Sequence, residues 1–255
     1  MVDFRNVTET VGAECSQEQL ARAVSRYGWV REFCIGKDVL EVACGTGQGL
    51  KMLQHVAKSL KACDISEEMV TEVKANHPSL TGVYVSNETH LPVQNQSLDI
   101  VICFEAIYYF KNPIKFFEET KRVLRKGGLL FLSFPNCELF DFNPSPFSVS
   151  YFKPQDLRKK LGEVGFKSQF YGGVALSKIG VRQKFFRPLK GLASRLGFIP
   201  GSMRGKAFLK RIVFGSLQRM PKHLDFDEVL FEIPQEIQIG DTPPGFKVIY
   251  CKATI

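Results

Sequence analysis

The sequence predicts an α/β fold built on a mostly parallel, doubly wound sheet, and three observations carry that prediction. From Asp38 to about Asn136, short β-branched or apolar runs alternate with longer segments of helical period, the order that a parallel sheet with crossover helices requires. The first of these runs leads straight into a turn with glycines at 45, 47 and 49. The chain's 255 residues are enough to bury a sizeable core without disulfide staples.

The elements follow in order. Residues 16–35 (SQEQLARAVSRYGWVREFCI) have helical spacing with Ser16 as N-cap, and are expected to lie across the sheet edge as a lid. Strands are expected at 38–43, 59–63, 82–86, 98–104 and 128–134, with helices at 48–57, 67–76 and 113–125. Ser66, followed by Glu67 and Glu68, makes an N-cap and an acidic first turn. The helix at 113–125 runs into KRVLRKGG, where basic side chains suit the C-terminal dipole and Gly127 and Gly128 are expected to stop it. Pro144 and Pro146 break the chain before a helix at 154–164, which tolerates Pro154 in its first turn. A strand near 166–174, a short run at 228–233 (EVLFEI) and a final strand at 246–252 complete the pattern. Four regions result: a helical lid (1–37), a core (38–174), a basic helical insertion (175–227) and C-terminal strands that complete the sheet (228–255).

Composition narrows the function classes. Seven cysteines stand singly with no C-x-x-C pair, so they read as reduced, mostly buried thiols of a cytoplasmic protein, and neither a disulfide framework nor a metal site is expected. No signal-peptide pattern opens the sequence, and no apolar run approaches the roughly 18 residues of a membrane span. The net charge of +8 is unevenly placed: Val164–Leu224 holds thirteen Lys or Arg and no Asp or Glu. That segment carries the whole cationic excess.

The chemistry-bearing stretch is EVACGTGQG, Glu41 to Gly49. Glycines where a parallel strand turns into a helix let a ligand touch backbone that side chains would otherwise shield. A dinucleotide fingerprint reads G-x-G-x-x-G, but position 50 is Leu and the spacing here is G-x-G-x-G. A carboxylate at Glu41 suits a cation better than a pyrophosphate. Asp64 ends the second strand, where it can accept from two ribose hydroxyls. The plainer alternative is that both carboxylates only cap or pair locally.

VLEVACGTGQG, ACDIS, LPVQNQSLDIVICFEAIYYF and RVLRKGGLLFLSFPN, in that order, resemble the serial motifs of class I S-adenosylmethionine-dependent methyltransferases of the type 11 kind. The resemblance implies a Rossmann-like sheet with an antiparallel last strand and S-adenosyl-L-methionine as cofactor. It implies that Glu41, Ala43, Gly45 and Gly47 line the methionine part, that Asp64 holds the ribose, and that Ile65 packs on the adenine. Asn87, through its carbonyl oxygen, and the backbone of Glu88 would meet the adenine amino group. Phe104 and Glu105 would border the transferable methyl, and Tyr27 would close over the cofactor. Two departures stand out: Ala43 replaces a frequent Gly, and E-x-x-x-H reads EAIYY, with Tyr109 in the histidine's place.

Methyl transfer from a sulfonium depends strongly on positioning, so a dedicated base is optional. For a hydroxyl acceptor the candidates are Glu105, Tyr108, Tyr109 and His90; a tyrosine of ordinary pKa is a poor base, which makes Tyr109 an orienting donor or a pocket wall. His55, His77 and His223 read as surface residues. FPNCELFDFNPSPFSVSYFKPQDLRKKLGEVGF resembles a methyltransferase subgroup acting on sugars in polysaccharide biosynthesis, with Ser148 in place of that subgroup's histidine. On that reading Asn136 and Asn143 bond a polyol, and Phe147, Tyr151 and Phe152 stack on a sugar face; the alternative is that Phe147 and Phe152 belong to the core. The acceptor expected is a small molecule or glycan, best a sugar hydroxyl on a nucleotide- or lipid-linked saccharide; a quinone or lipid-like acceptor, or a catalytically idle cofactor-binding partner protein, are the alternatives.

The basic segment has three readings: a peripheral contact with anionic membrane through 181–219, where Arg182, Lys184, Lys210 and Arg211 are the test positions; a grip on phosphates; or a solvated helical cap. Nucleic acid is the least favoured partner, because no RNA-binding motif accompanies the charge. Oligomeric state is left open.

Overall fold

The computed structural model describes residues 9–145, 147–178, 216–240 and 245–255. The predicted basic stretch 181–195, most of 204–219, and Pro146 lie outside these residues, as do Arg182, Lys184, Lys210 and Arg211. The described strands are β1 (Glu14–Cys15), β2 (Asp38–Val42), β3 (Ser59–Asp64), β4 (Val83–Val85), β5 (Leu98–Phe104), β6 (Leu124–Pro135), β7 (Lys167–Ala175), β8 (Gln218–Arg219), β9 (Gln235–Ile237) and β10 (Phe246–Thr254). The helices are α1 (Gln17–Arg31), α2 (Leu50–Gln54), α3 (Glu67–Asn76), α4 (Pro113–Val123) and α5 (Pro154–Val164).

The main sheet has the order β4-β3-β2-β5-β6-β10-β7-β9. Strands β4 to β6 run parallel to their neighbours, whereas β10 enters antiparallel between β6 and β7, and β9 pairs antiparallel with β7. The fold is a mostly parallel, doubly wound sheet with an antiparallel C-terminal strand. Alternate residues divide it into two cores: Val39 and Ile100 face the side covered by α1 to α3, and Leu40 and Val101 face α4 and α5. On the second face Phe116, Phe117 and Leu157 are fully buried, each contributing about 1.5–3 kcal/mol of apolar burial.

Helix α1 is capped as its sequence predicts. Ser16 accepts from the Gln19 amide, and Gln19 reaches back to the Ser16 amide. The helix does not lie across the sheet edge as expected. Leu20, Ala23, Val24, Tyr27 and Val30 recur at three- and four-residue spacing and are buried, which lays the helix flat on the sheet face. Trp29 meets Phe131 of β6 and Tyr250 of β10 edge-on, at 5.0 and 5.2 Å between ring centroids.

Three boundaries differ from expectation. Helix α2 is confined to Leu50–Gln54 because the glycine turn occupies the residues before it. Helix α4 stops at Val123: Leu124 turns extended and pairs with Leu98, a bulge follows, and the ladder resumes at Leu129 opposite Ile100. Gly127, at φ 77°, lies within that bulge, which lets Arg125 reach Asp38 and Asp99 at 3.0 and 2.8 Å. The apolar run at 228–233 is not a strand. Phe226 and Phe231 pack on α1 over Gly28, and the strand that extends the sheet is β9, just beyond.

Candidate active site

The strand order reverses between β2 and β5, so the crevice at their C-terminal ends is where a doubly wound sheet takes a ligand. Residues Ala43–Gly49 form its floor. Ala43, Gly45 and Gly47 all have left-handed backbone, at φ 57°, 57° and 78°. At Ala43 this conformation costs about 1–2 kcal/mol for a residue with a Cβ, the physical reason a glycine suits the position. Ala43→Gly is therefore expected to raise the stability of the unliganded protein by up to about 1 kcal/mol, after the greater freedom of glycine in the unfolded chain is subtracted; urea denaturation at equilibrium checks it.

Two carboxylates flank the loop. Glu41, on β2, is only 2% exposed. Its Oε1 accepts from the Tyr27 hydroxyl at 2.6 Å, and its Oε2 is buried with no hydrogen-bond partner. Burial pushes this carboxyl up to about 7, against the pull of the Tyr27 bond and of Arg26. Asp64, at the end of β3, accepts from the amides of Gly45 and Ser66 at 2.9 and 3.0 Å, one on each oxygen. Burial raises it too, although both backbone bonds oppose the shift. Ile65 beside it is 53% exposed, an apolar surface next to a fixed carboxylate.

Tyr27 packs on the loop itself and bonds Glu41. Its ring is buried against Gly49, where a Cβ would come within 2.0 Å of ring carbons, and it meets Phe104 edge-on at 5.6 Å. Two other segments also cover the loop. The Val11 amide bonds the Thr46 hydroxyl, the Gln48 side chain bonds the Glu9 carbonyl, and the Leu224 amide bonds the Gln48 carbonyl. Strands β1 and β8 join the two segments.

Glu105, directly after β5, also has left-handed backbone at φ 52°. Non-glycine residues in this region cluster at functional sites. Donors from three elements surround its carboxylate: Ser133 Oγ at 3.3 Å from β6, Tyr108 Oη at 3.4 Å, and the Arg26 guanidinium at 3.6 Å from α1. Tyr108 stacks on Tyr151 at 4.9 Å, and the Tyr109 hydroxyl donates to Ser145 at 3.0 Å.

The remaining predicted residues spread outward. Asn87 is exposed, and its carbonyl oxygen accepts from the amide and hydroxyl of Thr89 at 3.0 and 2.8 Å, so its oxygen already serves a local turn. Glu88 accepts from the Lys111 amide. His90 is exposed beside Glu119 of α4. Asn136, expected to meet a polyol, is buried instead; its amide donates to the Phe246 carbonyl and its oxygen accepts from the Glu138 amide, which fastens the end of β6 to β10. Phe152 belongs to the core, Phe147 is 40% exposed, Asn143 is exposed, and Ser148 donates to the Ser145 carbonyl within its own loop.

Over residues 40–132, from β2 into β6, the sequence matches the family described as the methyltransferase domain. The match covers the strands and the glycine turn that build the crevice. A "probable S-adenosylmethionine-dependent methyltransferase" of Mycolicibacterium smegmatis is 31% identical over 157 residues, 58% of this chain and 61% of the relative. One of the same description from Mycobacterium tuberculosis is 34% identical over 137 residues, 52% of this chain and 50% of the relative. The chain thus spans between half and about three fifths of the lengths of these relatives. Among solved structures, a SAM-dependent methyltransferase of Thermotoga maritima, described as a possible histamine N-methyltransferase, has a TM-score of 0.58 at 16% identity, covering 92% of this chain and 91% of that one. At that identity the likeness is one of fold.

Sequence reasoning missed Arg26, Ser133 and His77. Arg26 is buried on the sheet-facing side of α1, and a charge at an apolar position of a helix is the signal that could have found it. His77 is 3% exposed rather than on the surface. Its Nε2–H donates to the Gly47 carbonyl at 2.9 Å, and its ring meets His223 edge-on at 4.8 Å. Burial, and then the neighbouring His223, hold it below the usual histidine range.

Proposed function

We propose that this protein transfers a methyl group from S-adenosylmethionine to an acceptor, and that the acceptor is a sugar hydroxyl on a nucleotide- or lipid-linked saccharide. One observation carries the donor assignment: Glu41 and Asp64 flank the glycine loop at the ends of adjacent parallel strands, and Glu41 keeps a buried oxygen without a partner. An ammonium group satisfies that oxygen and restores the charge balance that burial upsets. Asp64, oriented by two amides, has lone pairs left for ribose hydroxyls. Ile65 offers apolar surface to the adenine. When bound, the cofactor supplies a methyl on a sulfonium, open to in-line displacement.

The chain's own task is then to hold the acceptor beside Glu105. Ser133, Tyr108 and Arg26 fix that carboxylate, so it can accept a hydrogen bond, and then the proton, from an acceptor hydroxyl. Tyr109 and Ser145 stand beside it as orienting polar groups. The lipid-linked form, and as a second reading a quinone or lipid-like acceptor, is favoured by Phe140, Phe147 and Val149, which are 54%, 40% and 55% exposed on the loop that follows β6.

Calorimetric titration of S-adenosylhomocysteine tests the donor. Micromolar binding is expected, weakened about ten-fold or more by Asp64→Ala, the scale of losing a charge-assisted hydrogen bond. A folded wild-type protein that does not bind would sink the assignment. Labelled-methyl transfer to diphosphate-linked saccharides, set against a quinone, separates the two acceptor readings, and transfer to neither leaves an idle cofactor-binding partner.

A further inference from the structure

Arg22 and Arg26 lie one turn apart on the same face of α1, and both reach the Glu9 carboxylate. Each guanidinium takes a different oxygen: Arg22 Nη2 lies 3.4 Å from Oε1, and Arg26 Nη2 lies 2.7 Å from Oε2. Arg26 also contacts Glu105 at 3.6 Å through its other terminal nitrogen, so the pair of cations adjoins the group that faces the acceptor. Its Nε is buried with no hydrogen-bond partner. Without Glu9 the cluster would hold two guanidinium groups against the single carboxylate of Glu105, which is an anion site by charge count.

We propose that Arg22 and Arg26 form a subsite for a phosphate group of the acceptor, and that Glu9 fills it while the acceptor is absent. The proposal rests on the methyl-transfer reading above. A phosphate presents oxygens to two guanidinium groups as the Glu9 carboxylate does, and has a further oxygen for the idle Nε–H. It also bears more charge than the carboxylate it displaces. The strap that carries Glu9 is fastened to the glycine loop by the bonds from Gln48 and to Thr46, so removing Glu9 from the arginines loosens the cover of the cofactor loop. Nucleotide-linked and lipid-linked saccharides share the diphosphate that this subsite would take.

The test uses the full chain saturated with S-adenosylhomocysteine, inorganic pyrophosphate as probe, and wild type, Glu9→Gln and Glu9→Gln/Arg22→Gln, with melting temperature as the check on folding. Glu9→Gln is expected to bind pyrophosphate at least ten-fold more tightly than wild type, and the added Arg22→Gln to remove most of that gain. Uridine diphosphate binding Glu9→Gln more tightly than pyrophosphate assigns the nucleotide-linked acceptor; a short isoprenyl diphosphate doing so assigns the lipid-linked one. Unchanged pyrophosphate affinity in Glu9→Gln, or a gain that survives Arg22→Gln because other cations supply it, overturns the subsite. Absence of S-adenosylhomocysteine binding in the folded wild type marks failure of the methyl-donor reading. Its presence without a pyrophosphate response marks failure of the subsite alone.

Discussion

Replacing Glu41 with glutamine is expected to weaken S-adenosylhomocysteine binding by ten- to a hundred-fold at pH 8 and by far less at pH 6. The buried carboxyl is pushed up to about 7, chiefly by desolvation, so it is largely neutral at pH 6 and ionised at pH 8. Only the ionised form attracts an ammonium, and a charged hydrogen bond of this kind contributes about 1.5–3 kcal/mol. Wild-type affinity therefore rises with pH across this window, and binding releases up to one proton near pH 6. Titrations in two buffers of different protonation enthalpy at pH 6, 7 and 8 measure both. Glutamine keeps an oxygen for the Tyr27 hydroxyl but has no charge to gain, so the variant's affinity should be flat with pH. A wild-type affinity that is equally flat would remove Glu41 from the cofactor's cationic end.

The same group has the opposite effect on the unliganded fold. Its folded pKa lies above the unfolded value, so the stability it contributes is complete below about pH 4.5 and is lost as pH rises through about 7. Glu41→Gln should accordingly be the more stable apoprotein at pH 8, by roughly 1–3 kcal/mol. Stability lost to a buried carboxylate and recovered on ligand binding is a common cost of a functional site.

The second large effect is expected at Gly49. A Cβ there would lie 2.0 to 2.2 Å from three carbons of the Tyr27 ring, far inside contact distance. The ring cannot yield cheaply, because it is buried, meets Phe104 and holds Glu41 through its hydroxyl. Gly49→Ala should destabilise the protein by about 2–3 kcal/mol, the upper part of the range for overpacking, and weaken cofactor binding by tilting Glu41. Tyr27→Ala removes the obstacle and leaves a cavity, at about 3–5 kcal/mol by analogy with other large aromatic truncations. In the double variant the added methyl no longer clashes, so the two effects should fall short of additive by more than about 1 kcal/mol. Chemical denaturation of the four proteins gives that coupling, and strict additivity would mean that ring and glycine do not touch in solution.

The local parts of this molecule were legible in the sequence. Alternating strand and helix periods, the caps at Ser16 and Ser66, and glycines at 45 and 47 that adopt left-handed backbone all arise from interactions within a few residues. Glu41 and Asp64 could be picked out because strand ends next to a glycine turn always open at the same edge of a parallel sheet. The tertiary structure decided what depends on distant segments meeting. Tyr27 became a buried partner of Glu41, Asn136 a fastener between β6 and β10, and His77 a prop beneath Gly47. Arg26 drew Glu9 and Glu105 together, the first from 17 positions before it and the second from the end of β5. None of these has a local pattern, because a side chain's partner across the fold is set by how whole elements pack, and one helix laid on the sheet face rather than its edge changes them all at once.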